Sequence, residues 1–151
     1  LMFDSLDLIV VGAKYGSGKR ENVWGSFLLA TKNPNNENEY VTICNIGTGF
    51  TEEMLENLNN LLTDFTEECP SNIVQPRHGI HQPDVYFETP TIVFEVQAAD
   101  ITKPAEEDME HSSGYSLRFP RFLRIRDDKT IDEASPLSFV NEMYESNKNL
   151  K

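Results

Sequence analysis

The chain has 151 residues, a net charge of −12 at pH 7 and 38% hydrophobic residues, which suits one soluble globular domain with a single core. No apolar run approaches the roughly 20 residues that a membrane helix needs, so we expect no membrane span. Cys44 and Cys69 are the only cysteines and lack a metal-type spacing, which favours ordinary buried thiols in a reducing compartment. The first residue is not methionine, which suggests a fragment cut from a longer protein.

The beginning of the chain predicts a hairpin. Residues 6–11 form a β-branched apolar run, and residues 23–31 form a second apolar run. Between them, the glycine-rich segment 15–20 carries two adjacent cations, Lys19 and Arg20. We therefore expect two strands joined by a turn with a basic tip.

The middle of the chain predicts one strand, one helix and two further strands. Residues 40–46 are rich in strand-forming side chains. Thr51 suits the N-cap of an amphipathic helix over 52–66, because apolar residues recur there at spacings of three and four. The runs 84–88 and 92–98 then predict two shorter strands.

The last third of the chain predicts an acidic loop over residues 104–114, then an arginine-rich strand and a short terminal helix. Ser135 suits the N-cap of that helix, with Pro136 at the first helical position.

The stretch 115–129 carries a net positive charge within an acidic chain. Four of the six arginines lie between Arg118 and Arg126, and the stretch holds five cations against two acids. A local inversion of this kind is typical of a surface that meets phosphate, whatever the net charge of the whole protein.

We expect this stretch to form one strand, and from Leu123 onward an alternating pattern predicts that the strand is half-buried. Leu123 and Ile125 fall on one face, and Arg124 and Arg126 fall on the other. Pro120 cannot donate to a sheet ladder, so we expect an edge position or a bulge there.

The predicted elements make an all-β fold with minor α content. They comprise five main strands, a helix after the third strand and a short C-terminal helix. This combination fits an OB-fold, which is a five-stranded, partly open Greek-key barrel. Other small β-barrels fit the same count of strands.

Two weaker motifs have simpler explanations. The glycine-rich segment fails the spacing of a phosphate-binding loop, because Ala13 stands where a glycine is required. Its cations, Lys19 and Arg20, mark either a turn that faces a nucleic-acid backbone or a solvated turn. His78 and His81 lack Cys or acidic partners at recognised intervals, so we expect surface histidines and no metal site. No complete active site is evident.

Six segments carry a family resemblance that covers essentially the whole chain. They are Leu6-Asp-Leu-Ile-Val-Val-Gly-Ala13, Gly16-Ser-Gly-Lys-Arg20, Gly25-Ser-Phe-Leu-Leu-Ala30, Ile43-Cys-Asn-Ile-Gly-Thr-Gly-Phe50, Val93-Phe-Glu-Val-Gln-Ala-Ala-Asp100 and Ser116-Leu-Arg-Phe-Pro-Arg-Phe-Leu-Arg-Ile-Arg-Asp-Asp-Lys129. In this order they resemble the C-terminal part of eukaryotic-type ATP-dependent DNA ligases, and within that family the DNA ligase I-like branch.

The resemblance implies an OB-fold domain over residues 1–151, with a nucleotidyltransferase domain upstream. These ligases form lysyl-AMP at a K-x-D-G motif, which this sequence lacks, so the segment alone is expected to be inactive. Arg126, Asp128 and Lys129 match the last nucleotidyltransferase motif, whose Arg and Lys engage the β- and γ-phosphates of ATP. By the same resemblance, Mg²⁺ is expected to arrive with those phosphates, without ligands from this segment.

The resemblance also implies a DNA-facing end. Arg118 and Phe119 match residues that face the minor groove near a nick, where the Phe distorts the duplex. Arg121, Lys19 and Arg20 are further expected DNA contacts. The implied partners are nicked duplex DNA and the upstream domain of the same chain, in a monomeric nuclear protein. In this family the OB domain swings between the two tasks.

Two other functions remain as alternatives. One is a stand-alone OB domain that binds single-stranded nucleic acid through stacked aromatics. The other is the OB domain of an mRNA-capping guanylyltransferase, which shares the Arg-x-Asp-Lys ending, although the segment from Arg118 to Arg121 argues against it. Residues 103–110 are unusually acidic for a loop near DNA, and the net charge predicts weak, salt-sensitive DNA binding by this domain alone.

Overall fold

The structure is a computed structural model that describes residues 4–149, apart from the side chain of Arg20. The described chain is mostly β, with two α-helices. Its strands are β1 (Leu6–Tyr15), β2 (Trp24–Asn33), β3 (Asn36–Ile46), β4 (Ile73–Val74), β5 (Val85–Tyr86), β6 (Val93–Gln97), β7 (Asp100–Thr102), β8 (Ser116–Arg118) and β9 (Arg121–Ile125). Its helices are α1 (Glu52–Leu61) and α2 (Leu137–Asn149).

The main sheet has the order β4-β3-β2-β1-β6-β9, and β5 also pairs with β1. The neighbours are antiparallel except for β3 and β4, which run parallel. Strands β7 and β8 form a separate two-stranded sheet. The backbone N–H of Phe122 in β9 donates to the carbonyl of Thr48 at 3.1 Å, which brings the far edge of the main sheet back to the end of β3.

The core lies on both faces of β1. Leu6, Leu8 and Val10 belong to the larger apolar cluster, and Ile9 and Val11 belong to a smaller one on the opposite face. Burial of each such side chain stabilises the fold by roughly 1.5–3 kcal/mol. Two buried faces explain why this strand carries a nearly continuous apolar run.

Phenylalanine rings connect β2, β6 and β9 through the larger cluster. Phe27 and Phe94 meet edge-on with ring centroids 5.5 Å apart, and Phe94 meets Phe122 at 4.8 Å. Phe50, just after β3, stacks on Phe122 at 4.4 Å. Strand β9 is therefore fixed to the body of the fold through Phe122.

Helix α1 begins as predicted and ends earlier. The Thr51 hydroxyl accepts a hydrogen bond from the Met54 N–H at 3.1 Å, so the predicted N-cap is confirmed. The helix stops at Leu61 instead of residue 66. Beyond it, Phe65 packs edge-on against Trp24 at 5.3 Å, a tertiary contact that helical periodicity does not reveal.

Helix α2 begins one residue later than predicted. The Pro136 carbonyl accepts hydrogen bonds from the N–H groups of Phe139 and Val140, and the helix starts at Leu137. The Ser135 side chain is occupied elsewhere, as described below. No helix among residues 4–149 is long and apolar enough to cross a membrane.

The predicted single arginine strand is wrong, because it divides into β8 and β9. Arg118 ends β8 and pairs with Asp100, whereas Arg121 opens β9 and pairs with Gln97. Phe119 between them has φ +51°, the left-handed region that side chains rarely adopt. The chain changes sheets at this residue.

The predicted burial of Leu123 is also wrong. Val96 pairs with Phe122, and the next pair is Glu95 with Arg124, so Leu123 is the extra residue of a β-bulge. Phe122 is 3% exposed and Leu123 is 38% exposed. The bulge breaks the period of two on which the prediction depended.

Candidate functional sites

A turn after β9 brings two cations to one carboxylate. The Lys129 N–H donates to the Arg126 carbonyl at 3.2 Å, which closes the turn. Arg126 Nη1 donates to Asp7 Oδ1 at 3.1 Å, and Lys129 Nζ donates to Asp7 Oδ2 at 2.7 Å. Asp7 lies near the start of β1, so the beginning of the described chain meets the turn after β9 here.

Asp128 binds the same arginine from within the turn. Arg126 donates from Nε to Asp128 Oδ1 and from Nη2 to Asp128 Oδ2, both at 3.0 Å. This two-pronged contact raises the pKa of Arg126 and lowers the pKa of Asp128 to about 2. Together with Asp7 and Lys129, the group carries two positive and two negative charges. We call these four residues the cation cluster.

The cation cluster is held by the segment that follows it. The Glu133 carboxylate accepts from the Thr130 N–H at 2.9 Å and from the Thr130 hydroxyl at 3.1 Å, which lowers the pKa of Glu133. Ser135 Oγ accepts from the Asp7 N–H, and the Ser135 N–H donates to the Asp7 carbonyl, both at 2.8 Å. These contacts fix the backbone that follows the turn and attach it to β1.

Asp7 is the functional candidate that sequence reasoning missed. The sequence signal that could have indicated it is a charged residue inside an otherwise apolar strand. Its side chain is only 13% exposed, and a carboxylate this buried needs charged partners. The sequence does not identify those partners, which lie more than a hundred residues away.

The other end of the arginine-rich stretch presents an aromatic ring. Phe119 is 76% exposed, and the Arg118 guanidinium carbon lies 5.4 Å from the centre of its ring. Phe119, Pro120 and Arg121 line one side of a cleft of about 440 Å³. Asn45 and the loop 47–49 line the other side.

Close backbone packing supports this cleft. Thr48 Oγ1 donates to the Pro120 carbonyl at 3.1 Å. Gly49 has φ +97°, and a Cβ at this position would lie 2.5 Å from the Phe122 carbonyl oxygen. Glycine is therefore required at this position by both conformation and space.

Arg124 lies between the two ends but has a separate partner. Its Nε donates to Glu95 Oε1 at 2.7 Å, and the Ser5 hydroxyl donates to the other oxygen of Glu95. The Ser5 hydrogen bond and then the Arg124 contact lower the pKa of Glu95. Arg124 thus belongs neither to the cation cluster nor to the cleft.

The predicted hairpin tip is an exposed turn far from the cation cluster. Lys19 lies in the 3-10 turn Gly18–Arg20 and is exposed, while the side chain of Arg20 lies outside the described residues. Asp7 and Tyr15 mark the two ends of β1, about 25 Å apart at the usual rise per residue.

Two of the three histidines, His81 and His111, form a small cluster beside the cleft. His81 Nε2 lies 2.9 Å from Glu110 Oε2, and the rings of His81 and His111 are 5.2 Å apart. His111 is buried against Thr42, and burial, followed by the nearby His81, lowers its pKa to about 4. His78 is exposed. Within residues 4–149, no group of three or more His, Cys, Asp or Glu side chains is arranged to hold a metal ion.

Comparison with known protein families identifies the family of this chain. The model of the ATP-dependent DNA ligase C-terminal region matches residues 20–129, which is most of the chain and includes both ends of the arginine-rich stretch. The chain belongs to this family. It is the C-terminal region of an ATP-dependent DNA ligase, as the resemblance predicted, and neither alternative function is favoured.

Relatives from distant organisms support the assignment. The chain is 45% identical to DNA ligase 1 of Schizosaccharomyces pombe over 95% of its length, and 42% identical to DNA ligase 1 of Saccharomyces cerevisiae over 98%. It is also 37% identical to DNA ligase 1 of Methanosarcina acetivorans. It spans 19–25% of the length of these three relatives.

Two solved structures share the fold at lower identity. The ligase domain of M. tuberculosis LigD matches 87% of this chain and 38% of its own, with a TM-score of 0.64 and 22% identity. A mycobacterial DNA ligase D complexed with ATP and MES matches 88% of this chain and 38% of its own, with a TM-score of 0.64 and 20% identity.

Proposed function

We propose that this region serves a ligase that seals nicks in duplex DNA through lysyl-AMP and DNA-adenylate intermediates. In the first step, Arg126 and Lys129 engage the β- and γ-phosphates of ATP. The observation that carries this proposal is their convergence on Asp7 at 3.1 and 2.7 Å, which places both cations at one corner of the fold. One polyphosphate can then contact both.

The chemistry of each cation suits this role. Arg126 offers a planar, always charged guanidinium, and Asp128 fixes its plane through two hydrogen bonds. Lys129 adds a compact charge beside it. Negative charge grows on pyrophosphate as the upstream lysine attacks the α-phosphate, so fixed cations at the departing group lower the barrier and keep it in line.

The second task in the proposal is contact with nicked DNA. Phe119 is exposed and held in an unusual backbone conformation, which suits an apolar wedge in the minor groove. Arg118 and Arg121 flank it and can bind phosphates on either side. Lys19 and Arg20 on the distant hairpin tip are the proposed outer contacts with the DNA backbone.

The proposed fold is a five-stranded OB barrel that fills residues 1–151. Five strands of the described chain have five or more residues, namely β1, β2, β3, β6 and β9, and α1 follows β3. The hydrogen bond between Phe122 and Thr48 supports closure between β9 and the end of β3. An upstream nucleotidyltransferase domain supplies the adenylated lysine, so this region is inactive alone.

The remaining parts of the proposal concern partners and setting. ATP is the nucleotide, and Mg²⁺ accompanies its phosphates, while the described residues do not assemble a metal site of their own. The carboxylates of Asp7 and Asp128 are already engaged by cations. We propose a monomeric nuclear enzyme with nicked duplex DNA as its substrate.

Arginine substitution in the full-length ligase tests the ATP role. Arg126→Ala should lower the rate of self-adenylation by about 100-fold or more, because one fixed charge at the departing group is lost. Arg124→Ala is the matched control, because Arg124 pairs with Glu95 and should leave adenylation within about twofold. Normal adenylation by Arg126→Ala would refute the phosphate role.

A further inference from the structure

Asp7 is held in place through its backbone, and its side chain is less exposed than that of Lys129. Its backbone N–H and carbonyl are both bound by Ser135, at 2.8 Å each, and its Cα pairs with that of Glu95 in β6. Its side chain is 13% exposed, against 29% for Lys129. The carboxylate is therefore a fixed point to which the longer side chains come.

The two oxygens of this carboxylate bind different cations. Oδ1 accepts from Arg126 and Oδ2 accepts from Lys129, so the two positive groups lie side by side. Like charges this close repel each other unless an anion lies between them. Without Asp7, Lys129 would turn toward solvent, because the described residues give its side chain no other hydrogen-bond partner.

The cluster leaves donors available for a ligand. Arg126 has five N–H groups, and the contacts with Asp7 and Asp128 occupy three of them. Lys129 has three N–H groups, and the contact with Asp7 occupies one. Each cation thus keeps free N–H groups, and both side chains remain partly exposed.

We infer that Asp7 is a positioning residue, which gathers Arg126 and Lys129 into one pair able to grip a polyphosphate. The inference rests on the proposed function, because it names the residue that prepares the ATP contact. Asp7 touches no reacting atom and acts only through the two cations. Ordering them before ATP arrives lowers the cost of binding it.

A simple structural role for Asp7 makes a different prediction. If its only task were to attach the segment around Ser135 to β1, then its loss would weaken every activity equally. A positioning role affects only the step that uses ATP. Self-adenylation and the sealing of a nick that already carries AMP can be measured separately, so these two steps distinguish the roles.

The test uses full-length ligase and the variant Asp7→Asn, which keeps the size of the side chain and removes its charge. The KM for ATP in self-adenylation should rise about tenfold, the effect of losing one charge-assisted contact. Sealing of a nick that already carries AMP should stay within about twofold. Glu95→Gln is the matched control, because it removes the neighbouring carboxylate and its bond to Arg124, and should change neither step.

Two further variants keep the test decisive. Asp7→Glu retains the charge on a longer side chain and should restore part of the ATP affinity, even if Asp7→Asn folds poorly. In a Lys129→Ala background, Asp7→Asn should add less than about threefold, because one of the two cations it positions is already gone.

The outcomes separate the two proposals. An unchanged KM for ATP in Asp7→Asn, or an equal loss of both steps, would overturn the positioning role of Asp7. If Arg126→Ala and Lys129→Ala lose adenylation in the same assays, the phosphate role survives that failure. If both of these variants adenylate normally, the proposed function itself is wrong.

Discussion

The two ends of the arginine-rich stretch differ in exposure and charge pairing. At the cation cluster, Arg126 is 14% exposed and is bound by two carboxylates. At the cleft, Phe119 is 76% exposed and stands on a left-handed backbone beside Arg118. One end presents charges that are already bound by carboxylates, which in the proposed function give way to phosphates. The other end presents an exposed apolar ring, which in the proposed function becomes buried against DNA.

The difference teaches how one short segment can serve two ligands. In the proposed function, phosphates must compete with the carboxylates that already bind Arg126 and Lys129. An exposed aromatic ring carries no net charge, and in the proposed function it enters a groove where bases can be unstacked. Phe122 lies between the two ends and packs in the core, so it fixes both ends to the fold. The two ends therefore differ in chemistry but depend on the same packing.

The largest expected effect comes from removing that shared packing. Phe122→Ala should destabilise the 151-residue chain by about 3–5 kcal/mol, because it leaves a cavity among the rings of Phe50 and Phe94. Leu123→Ala, next along the strand but half exposed, should cost less than about 1 kcal/mol. Urea unfolding measures both. Equal losses would mean that the bulge has been assigned to the wrong residue.

The two ends should lose their contributions to stability in different acidic pH ranges. His111 lies beside the cleft with its pKa lowered from 6.5 to about 4, so below pH 6.5 the unfolded chain binds a proton that the folded chain does not. Stability should therefore fall as the pH drops from about 6.5 to 4, by up to about 1.4 kcal/mol per pH unit. The pKa of Asp128 is lowered to about 2, so its contribution persists until the pH falls through the range from 3.8 to 2.

Unfolding free energies at pH 7, 6, 5 and 4.5 measure the histidine contribution. His111→Gln should flatten the profile over this range, whereas the exposed control His78→Gln should keep the slope of the parent chain. The groups that face His111 are His81 and, beyond it, Glu110. An unchanged slope in His111→Gln would contradict the assignment of the acid sensitivity to His111.

A substitution that disturbs only the cleft should cause a smaller loss of stability. Gly49→Ala adds a Cβ that meets the Phe122 carbonyl and also strains a positive φ, at a combined cost of about 2–3 kcal/mol. Gly18→Ala is the matched control, because its φ is +60° and its Cβ would meet nothing within 4 Å. The control should lose only about 1 kcal/mol in thermal unfolding. If both variants lose the same amount, close packing at Gly49 contributes nothing.

The smallest effect on stability should come from the exposed ring. Phe119→Ala should leave the unfolding free energy within about 0.5 kcal/mol, yet lower the sealing of nicked DNA by full-length ligase about tenfold. Ile80→Ala removes an equally exposed apolar side chain and should leave sealing unchanged. A similar loss in both variants would indicate a general surface effect instead of a wedge.

Local features of this protein could be predicted from its sequence. The Thr51 cap, the long strands and the helix after β3 follow from side-chain chemistry within a few residues. Arg126 and Lys129 stood out because their charges contrast with an acidic chain. Family membership was also predictable, because the matching motifs occur in a fixed order.

Features that depend on distant contacts could not be predicted. Asp7 meets Arg126 and Lys129 across more than a hundred residues, and no periodicity encodes that meeting. The bulge at Leu123 and the left-handed Phe119 each shift which side chains point inward, and both depend on packing against neighbouring strands. The roles of the site residues remain predictions until they are tested.

The division of labour between the two ends is tested most directly by one paired measurement. Arg126→Ala and Phe119→Ala are made in full-length ligase, and each is assayed for self-adenylation and for sealing of a pre-adenylated nick. We predict a crossed result, in which Arg126→Ala loses adenylation by about 100-fold while Phe119→Ala loses sealing by about tenfold. Loss of the same step in both variants would contradict it.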